Sequence, residues 1–290
     1  MSNILITGAT GNIGFQLIRF LHNHADGSSI VAGVRNIEKA KKSFIEYPNL
    51  GFVQFDFENQ TTFKSALKNI DQVFLLRPPH ISDVEKYFKP LINTIKENHI
   101  SKIVFLSVQG VETSSIIPHN KIERLIKENG FNYIFLRPSY FMQNLITTLL
   151  KDIQTKRKII LPAGSAKFNW VDIENIAELG AFLINNFEKY KNQAFEITGS
   201  ENLNFKEVTS LINELVDSPI DYKSVNPFHY YSIKKNEGVK SGMIIVMILL
   251  HFLPRFQKQP AISKVFEQLT GKKPTNLKSF IEREKYVLSK

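Results

Sequence analysis

The sequence predicts a doubly wound α/β fold, a parallel sheet with helices on both faces. Three observations predict it. Short apolar runs alternate with amphipathic segments through the first half of the chain, the rhythm of repeated βαβ units. The runs are apolar at consecutive positions, as strands covered on both faces are. A glycine-spaced loop joins the first run to the first amphipathic segment.

Taken in order, Asn3–Thr7 reads as the first strand, followed by Gly-Ala-Thr-Gly-Asn-Ile-Gly and a helix to about His22. Ser29–Val34 is the second strand, and residues 37–45 form a helix that Asn36 can cap. A third strand spans 51–56 and a helix 61–68. Gln72–Leu76 is the fourth strand, ended by Arg77-Pro78-Pro79; a helix follows over 84–98. Lys102–Leu106 is the fifth strand. The helix over 119–129 is closed by Gly130, and residues 132–136 are the sixth strand.

After Arg137-Pro138 the rhythm changes. Residues 140–153 carry a long helical pattern. Lys158–Leu161 and 194–197 read as strands, with a helix over 173–186 between them, and helices dominate from Asn204 onward. This divides the chain into a sheet domain, 1–150, and a smaller, mostly helical substrate lobe, 151–290, packed on the sheet edge as one compact unit. A ligand is expected in a crevice at the strand ends. The apolar stretch 243–253 is too short for the ~20 residues of a membrane span and reads as a buried helix. An apolar lid or a dimer face is the alternative.

The chain has no cysteine. That excludes disulfides, thiolate catalysis and cysteine-based metal sites, so redox chemistry must come from a bound cofactor. The seven histidines are scattered, with His22 and His24 two apart on different helix faces, so no metal site is expected. The net charge of +10 is spread along the chain with no basic run, which argues against nucleic-acid binding. No signal peptide precedes Ile4, and a cytoplasmic location is expected.

The loop Thr7-Gly8-Ala9-Thr10-Gly11-Asn12-Ile13-Gly14 lies between a strand and a helix, the context that gives such glycines meaning. Gly8 permits the tight turn, Gly11 the approach of a pyrophosphate, and Gly14 close packing of helix on strand. Thr10, Asn12 and Ile13 complete the cradle, and the helix N-terminus faces the phosphates. This is a Rossmann dinucleotide site. An NAD site places an acid after the second strand; here Val34-Arg35-Asn36 stands instead. Arg35, with Lys39 one turn later, suits a 2′-phosphate and predicts NADP(H).

The Gly-x-x-Gly-x-x-Gly spacing resembles the extended and atypical short-chain dehydrogenase/reductases. With Val34-Arg35-Asn36, Leu106-Ser107-Val108 and Phe135-Leu136-Arg137-Pro138-Ser139-Tyr140-Phe141-Met142-Gln143-Asn144, the chain resembles the NmrA-like family. Leu269-Thr270-Gly271-Lys272-Lys273-Pro274 extends the resemblance to the C-terminal end. That family includes NAD(P)H:quinone oxidoreductases, NADPH-sensing regulators and isoflavone-reductase-like enzymes. The resemblance implies that Asp56 and Phe57 lie on the adenine side and Leu76 and Arg77 beside the ribose. It puts Ser107 and Val108 on the nicotinamide side, with Pro138, Tyr140 and Phe141 bordering the ring.

The usual short-chain catalytic pair is Tyr-x-x-x-Lys. Here Lys121 is preceded four residues earlier by Ile117, so the tyrosine acid is absent. Lys121 is expected to hold the ribose or to act as an acid, as the resemblance implies for isoflavone-reductase-like members. His119 is a second candidate proton donor, because imidazole titrates near neutrality. Tyr140 is expected to contact a substrate carbonyl. The resulting expectation is an oxidoreductase that passes a hydride from NADPH to a quinone or similar small electrophile, acting as a monomer or homodimer. The alternative is a non-catalytic NADP(H) sensor with a protein partner.

Overall fold

The computed structural model describes residues 2–23 and 27–289; His24 lies outside them. By its contacts the chain forms two units, Met1–Pro138 with Ile173–Ile197, and Ser139–Asp172 with Thr198–Lys290.

The first unit follows a βα rhythm. Its elements are β1 (Asn3–Thr7), α1 (Asn12–Asn23), β2 (Ser29–Val34), α2 (Ile37–Ser43), β3 (Gly51–Gln54), α3 (Phe63–Ala66) and β4 (Gln72–Leu76). They continue with α4 (Val84–Glu97), β5 (Lys102–Leu106), α5 (Pro118–Glu128) and β6 (Asn132–Pro138). The second unit then contributes β7 (Tyr140–Phe141), α6 (Leu150–Lys156), β8 (Lys158–Leu161) and β9 (Phe168–Val171). The chain returns to the first unit with α7 (Ile173–Asn185), α8 (Phe187–Tyr190) and β10 (Gln193–Ile197). It ends in the second with β11 (Asn202–Leu203), α9 (Phe205–Asn213), β12 (Asp221–Ser224), α10 (Pro227–Asn236), α11 (Ser241–Phe252), α12 (Val265–Thr270) and α13 (Leu277–Ser289).

The seven strands of the first unit form one sheet in the order β10-β6-β5-β4-β1-β2-β3. Every neighbouring pair is parallel. β1 sits where the strand order reverses, so the loop after it opens at the topological switch point, where such sheets leave a crevice. The apolar runs become the central strands because both sheet faces are covered: α4 buries Phe88, Leu91, Ile92 and Ile95 on one of them. α1 buries Ile13, Leu17, Ile18 and Leu21, a helical stripe.

Three sequence expectations need correction. The first is the boundary at 150. Residues 139–150 belong to the second unit, while α7 and β10 return to the first. β10 pairs with β6, for instance Phe195 opposite Leu136, because α7 packs back on the sheet. Gly180 admits Leu136 and Leu17 so closely that a Cβ there would meet them at 3.3 and 3.4 Å. The second correction is the helix over 140–153. Its start is instead the short strand β7, paired with β9 (Tyr140 opposite Trp170), then a 3₁₀ turn at Met142–Ile146. Burial of Met142 and Leu145 within the second unit overrides the local helical pattern.

The third correction concerns residues 243–253. They do form a helix, α11, but only Ile244, Met247 and His251 are buried along it. Ile245, Val246, Leu249 and Leu250 are each about half exposed. A helix apolar all round can bury only the stripe its neighbours reach. No helix among the described residues is long and apolar enough to cross a membrane.

Candidate functional site: a dinucleotide pocket at the carboxyl edge of the sheet

The site is built on the turn that leaves β1. Gly8 takes a left-handed φ of +63°, which a side chain would strain. Gly11 donates its backbone N–H to the Gly8 carbonyl at 2.9 Å. A Cβ at Gly14 would come within 2.3 Å of that same carbonyl oxygen, so only glycine lets α1 start this close to the strand. Thr7 braces the turn: its hydroxyl donates to the Phe74 carbonyl at 3.0 Å and accepts the Leu76 N–H at 2.9 Å. The first turn of α1 leaves amide donors free for an anion.

A cavity of ≈ 240 Å³ opens from this turn. Of the residues expected at the dinucleotide, Gly8, Thr10, Gly11, Arg35, Asp56, Phe57 and Leu76 line it. Arg35 is exposed and makes no ion pair among the described residues, so its guanidinium is free for an anionic group. Asp56 caps its own turn, accepting the Glu58 N–H at 3.0 Å. Phe57 is mostly core, packed on Phe88 with ring centres 5.3 Å apart. The wall also contains Gly33, Glu58, Pro78, Pro79, His80 and Ile81, which sequence reasoning missed. Glu58 and His80 face each other at 3.8 Å; two exposed polar residues far apart in sequence gave no signal. Asn12 is exposed, and the Ile13 side chain is buried in the core. Lys39 lies in α2 off the wall, where its backbone N–H is capped by Asn36.

The expected catalytic residues are placed differently from their sequence roles. His119 and Lys121 sit two apart on α5 and so face different sides. Lys121 is exposed and lines a separate depression with Asp83, Glu85 and Arg124. His119 faces inward, and its Nε2 accepts a hydrogen bond from Arg77 Nε at 3.3 Å. Burial, and then the Arg77 charge, push its pKa down to about 3. With Nε2 accepting from a guanidinium, the geometry gives no support to the proton-donor expectation for His119. Ser107 is 2% exposed and its hydroxyl has no partner; Val108 follows, half-buried. Pro138 ends β6, its carbonyl accepting the Gln109 N–H at 2.9 Å.

Tyr140 and Phe141 belong to the second unit. The Nδ1 of His251 lies 2.7 Å from the Met247 carbonyl and must donate to it, so Nε2 accepts from the Tyr140 hydroxyl at 2.9 Å. The Tyr140 ring packs against Trp170 and Phe168 with centres 4.8 and 5.2 Å apart. Burial pushes the Tyr140 phenol far above its ordinary range and His251 down to about 4. Tyr140 is thus a committed donor inside its own unit, and its expected contact with a substrate carbonyl has no support here. Among the described residues no group of three or more metal-ligating side chains comes together.

The model of the NmrA-like family matches residues 1–281. The chain belongs to that family. A curated relative, the Prestalk A differentiation protein A of Dictyostelium discoideum, is 28% identical to this NmrA-like chain over 96% of it and 91% of the relative. Among solved structures, triphenylmethane reductase from Citrobacter sp. complexed with NADP(H) superposes with a TM-score of 0.84 at 21% identity, covering 97% of this chain and 99% of that one. An NADPH-dependent quinone oxidoreductase from Escherichia coli, complexed with NADPH, superposes at 0.83 with 20% identity and the same coverage. At these identities the structures establish the shared fold. Both carry the phosphorylated dinucleotide that Arg35 leads one to expect.

Proposed function

We propose that this NmrA-like chain is an NADPH-dependent reductase of quinones or similar small electrophiles. The observation that carries the reading is the pairing of a glycine-shaped cradle after β1 with Arg35, which makes no ion pair among the described residues, on the cavity wall where an NAD site has an acid. The backbone of Gly8, Thr10 and Gly11 would hold the pyrophosphate, Arg35 the 2′-phosphate, and Asp56, Phe57 and Leu76 the adenosine side. NADPH, when bound, supplies the hydride.

None of the proton donors expected from the sequence is placed to give a proton in the cavity. Ile117 replaces the tyrosine, Lys121 faces away from the cavity wall, His119 resists protonation and Tyr140 is committed to His251. Such a site suits an acceptor that needs no protein acid. A quinone is one: its reduced oxygen is basic enough to take a proton from water, which leaves positioning as the chief contribution of the protein.

The same lack of an acid also favours a sensor that binds NADPH and NADP⁺ without turnover. Steady-state oxidation of NADPH with substituted benzoquinones separates the two. Sustained acceptor-dependent oxidation is expected; tight binding of both oxidation states with no turnover for any quinone would establish the sensor instead.

A further inference from the structure

We propose that Arg77 is an anion site for the acceptor, so that this protein prefers electrophiles bearing a carboxylate or sulfonate. The inference rests on the reductase reading above. It starts from a charge that has no counter-charge.

Arg77 is the first residue past β4, and its side chain is half-buried. Nη1 donates to the carbonyls of Pro78, Pro79 and Ile81 at 3.1, 3.2 and 2.5 Å, and Nε donates to His119. No carboxylate bonds it among the described residues. Nη2 has no hydrogen-bond partner there and is not among the buried, unpartnered atoms, so it reaches accessible space with two N–H groups to spare. Burial draws its pKa below the ordinary guanidinium value, the mark of a cation that the protein has desolvated without neutralising.

Buried charges are normally paired, because an isolated one is costly. The first unit itself pairs Arg137, with both nitrogens of its fork on Glu123 at 3.0 and 2.7 Å. At Arg77 the neighbour is a neutral histidine instead, which fixes the fork without consuming its charge. The three carbonyls then aim it. Pro78, Pro79 and Ile81, which hold the guanidinium, are also wall residues of the dinucleotide cavity, as is Leu76 before it. A ligand oxyanion meeting Nη2 therefore lies beside that cavity at the strand edge. A guanidinium fork fits a planar or tetrahedral oxyanion better than an ammonium does. The net charge of +10 also favours the approach of anions.

The dinucleotide has phosphates of its own, so the test separates the two sources. The full chain is saturated with NADP⁺ and titrated calorimetrically with anthraquinone-2-sulfonate and with neutral 2-hydroxymethylanthraquinone. The wild type is expected to favour the sulfonate about tenfold. Arg77→Met should abolish that preference while leaving the affinity for the neutral ligand unchanged, and Arg77→Lys should keep part of it. A sulfonate preference that is absent in the wild type, or survives in Arg77→Met, overturns the proposal. So does a large loss of NADPH affinity with the preference intact, which would assign Arg77 to a dinucleotide phosphate. If neither anthraquinone binds, the proposal also fails, and turnover with neutral benzoquinones decides independently whether the reductase reading stands.

Discussion

Two cations, Lys234 of the second unit and Arg77 of the first, are treated in opposite ways. In the second, Lys234 is 7% exposed and fully answered: its ammonium meets Asp152 at 2.6 Å and Glu237 at 2.9 Å. Lys156 closes the cluster on Asp152 at 2.8 Å and also bonds Glu237. In the first unit, Arg77 is surrounded by carbonyls and one neutral histidine, with two N–H groups unspent. The histidines repeat the contrast: His251 spends both ring nitrogens within its own unit, whereas His119 supports a cation that stays open. A closed network holds helices together. An open charge on the edge of a cavity is what a binding site needs, because the missing partner is the ligand.

The closed cluster should show the largest stability effect. Asp152→Asn is expected to cost about 3 kcal/mol, since it strands Lys234 and Lys156 without their shared carboxylate. Urea unfolding at pH 7 measures this, and a loss under about 1 kcal/mol would erase the distinction between the two regions. Acid comes next. Burial works against the Asp152 and Glu237 carboxylates, but the ammonium groups outweigh it and hold both below the ordinary range. Their stabilisation is complete above the unfolded value of about 4 and lost as pH falls through the lower folded values.

His119 and His251 act at higher pH. Their folded values are about 3 and about 4, while the unfolded chain takes up protons at about 6.5. The unfolded state then binds more protons, so stability should fall as pH drops below about 6.5. Thermal melts across pH 4–8 should show this first decline shrink in His119→Phe. No change would mean that His119 is not buried as a neutral base.

Arg35 extends the comparison, since it too makes no ion pair among the described residues. Arg35→Asp should leave stability within about 0.5 kcal/mol but move the NADPH-to-NADH affinity ratio by tenfold or more, about 1.4 kcal/mol. An unchanged ratio from paired titrations would remove Arg35 from cofactor selection. A smaller effect than that affinity change is expected for the stability of Arg77→Met, about 1 kcal/mol, the scale of lost loop hydrogen bonds. A loss as large as that of Asp152→Asn would mark Arg77 as a structural tie rather than an open charge.

Much of the first unit was legible locally. The first six strands appear where apolar runs stand between turn residues, and Gly8, Gly11 and Arg35 reach the cavity because a strand–loop–helix turn and a strand end position them directly. The Arg77–His119 bond spans 42 residues. No spacing rule brings those two together; only the adjacency of β4 and β5 does.

By itself the sequence determined the parallel sheet, the phosphate cradle and the absence of an acid after β2. These depend on residue type and on neighbours a few positions away, where sterics and hydrogen bonding act directly. Only the tertiary structure decided that β10 rejoins the sheet, that Tyr140 is committed to His251, that α11 leaves Ile245, Val246, Leu249 and Leu250 half exposed, and that His119 rather than Lys121 turns inward. Each of those outcomes depends on which distant segment packs against a given face. That is a long-range competition for burial, and local pattern does not encode its result.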